Sequence, residues 1–144
     1  MSEKFVYVTY IASTPENVWD ALVKGDVTRR YWKHENVSDW KPGSKWEHVS
    51  ADSARTLKIA GTVLESVPEK RLVLTWADPQ DRADESRVTF QIETIAGMVR
   101  LTVTHEDINP ASGMLQKISN GWPRVLSSMK SLLETGRPLD TWAS

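Results

Sequence analysis

The chain has 144 residues, no cysteine, seven tryptophans and a formal net charge of -1. That length suits one domain with a substantial core. The near-neutral balance speaks against nucleic acid or an acidic membrane as partner, and the missing thiols exclude disulfides, thiol nucleophiles and thiolate zinc sites.

No apolar run approaches the ~18 residues that span a bilayer. The opening MSEKFVYVTY has no basic stretch followed by an apolar core, so no signal peptide is read and a cytoplasmic protein is expected.

In chain order, residues 3–11, EKFVYVTYI, are β-branched and aromatic and predict a strand. A helix should come next. Thr14 suits its cap, Pro15 its first position and Glu16 its positive end. Val18, Trp19, Leu22 and Val23 form its apolar face, and Gly25 is expected to stop it. Asp26 then offers a cap for a second short helix to about Trp32, with Val27 and Tyr31 on one face. Arg29, Arg30, Lys33 and His34 gather at its end, where positive charge is welcome, and read as a solvated face.

From residue 35 the apolar period becomes two. Lys41-Pro42-Gly43-Ser44 fits a type II turn, with Pro42 setting φ and Gly43 supplying a positive φ. Strands are predicted over ENVSDW (35–40), KWEHVS, TLKIAGTVLESV (56–67), RLVLTWA (71–77), RVTFQIET (87–94) and MVRLTVTHED (98–107). Pro68-Glu69-Lys70 and Ala96-Gly97 supply turns, and DPQDRADES (78–86) reads as a polar hairpin loop. Short connections of this kind pair successive strands antiparallel.

From Asn109-Pro110 a helical pattern runs to Gly136. Leu115, Ile118, Trp122, Val125, Met129 and Leu132 recur at steps of three or four, and the phase holds across Pro123. One helix bent near 119–123 is therefore expected, with Gly121 allowing close approach of the backbone to whatever lies opposite. Residues 137–144 form a tail.

One face of each strand should meet this helix. The period places inward Trp46 and His48; Leu57, Ile59 and Val63; Leu72, Leu74 and Trp76; Val88, Phe90 and Ile92; and Val99, Leu101, Val103 and His105. Tryptophan and histidine together suit a pocket that orients a partly polar ligand, although histidines bonded to their neighbours at a strand end would give the same pattern. Glu65 falls in the inward phase too, and a bulge or strand end that turns it to water is the expected resolution. His34, His48 and His105 show no metal-ligand spacing, and no GxSxG, Walker or GxGxxG motif occurs, so no metal or cofactor is expected.

The segments IASTPENVWDAL (11–22), YWKHENVSDWKPGSKW (31–46), GTVLESVPEKRLVLTW (61–76), SRVTFQI (86–92) and GWPRVLSSMKSLLETG (121–136) carry a resemblance over nearly the whole chain. The chain resembles the SRPBCC superfamily of START-like, birch-pollen-allergen-like helix-grip proteins. Within it, the chain is most similar to the family named after the C-terminal domain of the activator of Hsp90 ATPase homologue, as a stand-alone member. The resemblance implies an α+β fold in which a curved antiparallel sheet of six to seven strands wraps a long C-terminal helix. Two short helices close one end, and a cavity lies between, all within one domain of residues 1–144.

The expected function is binding of a small hydrophobic or aromatic molecule in that cavity. Trp32, Trp46, His48, Trp76, Phe90, His105, Trp122, Val125 and Met129 are expected to line it. Two alternatives stay open. One is a cyclase- or dehydratase-like enzyme in which His48, His105 or Glu65 moves a proton. The other is a protein-interaction module, Hsp90-related or otherwise, in which Trp142 of the tail docks on a second copy or another partner rather than covering its own domain.

Overall fold

The computed structural model describes residues 2–139. Trp142 lies outside them. Strand β1 (Glu3–Ile11) leads into helices α1 (Pro15–Val23) and α2 (Gly25–Trp32). Strands β2 (His34–Val37), β3 (Lys45–Ser50), β4 (Leu57–Val67), β5 (Arg71–Asp78), β6 (Asp81–Ile95) and β7 (Met98–Ile108) come next, and α3 (Met114–Thr135) ends the fold. The strands form one antiparallel sheet in the order β1-β7-β6-β5-β4-β3-β2.

The signals at the turns act as their chemistry requires. The Thr14 hydroxyl accepts from the Asn17 N–H at 3.1 Å, which satisfies a donor that the first turn of α1 cannot. The Ser44 N–H donates to the Lys41 carbonyl at 3.0 Å, and Gly43 has φ +91°. Ala96 and Gly97 both adopt positive φ, as a tight two-residue hairpin needs.

The structure corrects three expectations. Gly25 does not end α1 in a left-handed conformation; α1 closes at Lys24 and Gly25 opens α2, so Asp26 sits inside the first turn rather than capping it. The segment 78–86 is mostly strand and not a loop, because Asp78 pairs with Asp81 and the hairpin turns within Pro79 and Gln80. Asp78, Gln80, Asp81 and Glu85 of this ribbon are exposed, whereas Ser86 is buried. Asn109 to Gly113 form turns, and α3 starts only at Met114. As expected, Glu65 leaves the inward phase at a bulge between Val63 and Glu65, and its carboxylate meets Arg71 at the surface at 3.0 Å.

The inward phase otherwise holds, except that Leu57 is half-buried and outside the core. Trp46, Val63, Leu72, Leu74, Val88, Phe90, Val99, Leu101 and Val103 join one core with Ile118, Trp122, Val125, Met129 and Leu132 of α3. Helix α3 is continuous through Pro123. Its C-terminal end is tied to the end of β1: Glu134 accepts from the Ala12 N–H at 2.8 Å, and Lys130 donates to the Tyr10 carbonyl while pairing with Glu134.

Trp46 shapes the middle of the sheet. It pairs with Gly61 across β3 and β4, and its indole N–H reaches over that glycine to the Thr75 carbonyl of β5 at 2.7 Å. The Thr62 N–H turns instead to the Thr75 hydroxyl, at 2.8 Å. A Cβ at position 61 would collide with both the Thr75 carbonyl and the Trp46 indole nitrogen. Gly61→Ala should therefore cost about 3 kcal/mol in urea denaturation, through displaced packing and a lost buried hydrogen bond. A loss below about 1 kcal/mol would contradict this role.

Candidate functional site

Beyond its pinned end, α3 does not seal against the sheet. A pocket of about 470 Å³ opens beside its N-terminal half, within the size range of small-molecule sites. Met114, Lys117, Ile118, Gly121, Trp122 and Val125 supply one wall, a single helical face at steps of three and four. The end of α2 supplies Trp32, followed by His34. The facing strands supply His48 from β3, Lys58 and Ile59 from β4, and Trp76 and Asp78 from β5. The wall is thus mostly aromatic and apolar, with exposed Lys58, Lys117 and Asp78 around it.

Three indoles enclose the apolar part. The Trp122 ring lies 5.6 Å from Trp32, edge-on, and 5.4 Å from Trp76. Such tilted pairs suit the ring quadrupoles. Phe90 supports Trp122 from behind at 5.8 Å, also edge-on.

Trp122 is fixed by a chain of hydrogen bonds. Its indole N–H donates to His105 Nδ1 at 3.2 Å, so that nitrogen must be unprotonated. The proton of the neutral ring then sits on Nε2, which donates to the Ser86 hydroxyl at 2.6 Å, and Ser86 donates onward to the Trp76 carbonyl at 3.2 Å. Both nitrogens of His105 are thereby used, and its side chain is fully buried.

His48 holds the opposite tautomer. Asn36 donates through its amide nitrogen to the Leu22 carbonyl at 2.9 Å, which leaves its amide oxygen to accept from His48 Nδ1 at 2.7 Å. Nε2 of His48 then carries a bare lone pair, with no protein partner among the described residues. The ring lies 4.4 Å from Trp32 and 4.7 Å from His34. His34 likewise donates from Nδ1, to the Trp32 carbonyl at 2.9 Å.

All three imidazoles are held neutral. Burial pushes His48 down to about 3, with His34 adding to the effect, and burial pushes His105 down to about 4. Burial also lowers His34; its bond to the Trp32 carbonyl opposes this, and the Lys58 ammonium reinforces it.

Of the nine expected lining residues, Trp32, His48, Trp76, Trp122 and Val125 stand on the pocket wall. Trp46, Phe90, His105 and Met129 lie behind it in the core. Of the three groups considered for proton transfer, His48 alone reaches the pocket. Sequence reasoning missed His34, Lys58, Asp78, Met114 and Lys117 as wall residues. Ile118, one turn before Trp122 in the same phase, carried a usable signal, as did Ile59 in the inward phase of its strand. Gly121 corrects an expectation: its Cβ position meets nothing within 4 Å, so the glycine borders open space rather than a close neighbour. Among the described residues, no group of three or more histidine or acidic side chains could hold a metal ion, and no helix is long and apolar enough to cross a membrane.

The buried histidines set a pH dependence. Their folded values lie below the ordinary 6.5, so the unfolded chain binds more protons between those limits. Their contribution is fully present above about pH 7 and is lost as pH falls through 6.5 towards 4, at about 1.4 kcal/mol per pH unit for each histidine. Denaturant unfolding followed between pH 7.5 and 5 should show this slope, and His105→Gln should flatten it. A flat profile for the unaltered chain would contradict the assigned network.

No curated protein sequence matches the chain. Its fold is similar to the solution structure of the Aha1 dimer from Colwellia psychrerythraea, at 20% identity over 93% of this chain and 98% of that one, with a TM-score of 0.77. It is also similar to the crystal structure of MLL2253 from Mesorhizobium loti, at 22% identity, 91% and 96% coverage and a TM-score of 0.77. CalU16 from Micromonospora echinospora shares 18% identity over 87% of this chain and 72% of its own, with a TM-score of 0.71. A family model described as Activator of Hsp90 ATPase homolog 1-like protein matches residues 12–134. With the helix-grip architecture and that match over most of its length, the chain belongs to the Activator of Hsp90 ATPase homolog 1-like family.

Proposed function

We propose that this protein binds a small hydrophobic or aromatic molecule in the pocket beside α3. The observation that carries this reading is Gly121. A glycine in a helix interior costs about 1 kcal/mol relative to alanine. Such a cost is usual where a neighbouring backbone needs the room, and here nothing beyond its own chain neighbours and helix backbone lies within 4 Å of the missing Cβ. What the glycine leaves open is part of the pocket that Trp32, Trp76 and Trp122 border. A flat apolar guest burying ~300 Å² against those rings would gain several kcal/mol at ~25 cal/mol per Å², before ordering costs.

The rigid backing of the wall supports the same reading. Trp122 is held through His105 and supported by Phe90, so this part of the pocket wall is preorganised and little ordering remains to be done on binding.

Naphthalene, a probe with no hydrogen-bonding group, should change tryptophan emission saturably. Gly121→Phe should abolish the response by filling the pocket, whereas Gly121→Ala should leave the fold more stable by up to about 1 kcal/mol. An unaltered response in Gly121→Phe, or none in the unaltered chain, would overturn the proposal.

A further inference from the structure

The polar atoms left without partners on the pocket wall define the ligand more narrowly, given the binding role proposed above. Buried indole N–H groups and imidazole nitrogens are normally hydrogen-bonded. Trp46 donates to Thr75, Trp122 donates to His105, and His105 uses both nitrogens; away from the pocket, the buried Trp19 has no acceptor for its indole N–H among the described residues. Three side chains on the wall differ. The indole N–H groups of Trp32 and Trp76 have no protein acceptor among the described residues, and His48 Nε2 has no donor there. All three side chains are largely buried, with exposures of 7%, 7% and 4%.

The lone pair on His48 is dictated by the tautomer. Leu22 orients the Asn36 amide, and the amide oxygen takes the Nδ1 proton. His48, on the pocket wall, therefore holds a free acceptor, and the neighbouring wall indoles hold free donors. A hydroxyl group both donates and accepts, and so suits this set. A carboxylate only accepts and an ammonium only donates, and each leaves one kind of wall group unmet. The apolar remainder of the wall, three indoles with Ile59, Ile118 and Val125, suits an aromatic frame.

We propose that the pocket selects a hydroxylated aromatic molecule, whose hydroxyl donates to His48 Nε2 while its ring system packs among Trp32, Trp76 and Trp122. A ligand lacking the donor would leave His48 buried and unpaired, and that omission is the usual source of strong discrimination in such sites.

Calorimetric titration of the full chain with 2-naphthol and with 2-methoxynaphthalene isolates the donor, because the methyl ether keeps the rings and the acceptor oxygen. The unaltered protein should bind 2-naphthol about tenfold more tightly. In His48→Phe the ratio should fall to within about twofold. A second readout needs no variant. Nitrogen-15 spectra should show His48 protonated at Nδ1 and bare at Nε2, with the Nε2 resonance moving on addition of 2-naphthol and not of the ether. Equal affinities in the unaltered chain, a preference that survives in His48→Phe, or a proton resident on Nε2 would overturn the proposal while leaving the binding role standing. Failure of both arenes to bind would remove the binding role and this inference together.

Discussion

The hydrogen bond from the Trp122 indole to His105 Nδ1 is the contact on which the site depends. It sets the tautomer of a buried imidazole, commits the other nitrogen to Ser86 and carries the chain on to the backbone of β5. A side chain from the C-terminal helix is thereby tied to β5, β6 and β7. If His105 gained a proton, both ring nitrogens would be donors and Trp122 would face an N–H instead of a lone pair. The low-dielectric setting that makes the bond strong makes that conflict costly. The fold can hold an aromatic ring rigid at the border of an open space only while this imidazole stays neutral.

Two kinds of environment meet at that border. Behind Trp122 the interior obeys the ordinary rules of a native core, with interdigitated apolar chains and paired polar atoms. Trp46 lies over a glycine that makes room for it, and its N–H is satisfied by a carbonyl. In front of Trp122 those rules lapse. Gly121 borders nothing, His48 keeps an unused lone pair, and two indoles donate to no protein group among the described residues. Local rules are broken in natural proteins chiefly where function demands it. Gly121, His48 and these two indoles all line one pocket.

Much of the frame is legible in the sequence because local chemistry dictates it. Thr14-Pro15-Glu16 can do little but open a helix, and Pro42-Gly43 little but turn. The unbroken phase from Leu115 to Leu132 across Pro123 announces a single helix, as found. The period-two pattern places Trp46, His48, Trp76, Phe90 and His105 on the inner face. It cannot say which of these become wall and which become backing, since that depends on where the helix lifts from the sheet. Helix α3 is pinned through Lys130 and Glu134 to the end of β1 and opens at the other end, a long-range arrangement without a local signature. His34 stands among cationic neighbours that suggest a solvated face, yet its bond to the Trp32 carbonyl accompanies a place on the pocket wall. The meaning of the two key glycines is equally hidden in the sequence: Gly61 is required by a close approach, and Gly121 by the absence of one.

Whether the space beside α3 receives an aromatic guest against fixed tryptophan rings is tested most directly by a proton–nitrogen correlation spectrum of the labelled chain, recorded with and without an aromatic hydrocarbon. Shifts should concentrate at the Trp32 and Trp122 indole N–H groups and the Gly121 amide, while the indole N–H of Trp46, one layer deeper, stays in place. Shifts centred on another part of the molecule, or no shifts at saturating ligand, would contradict the account.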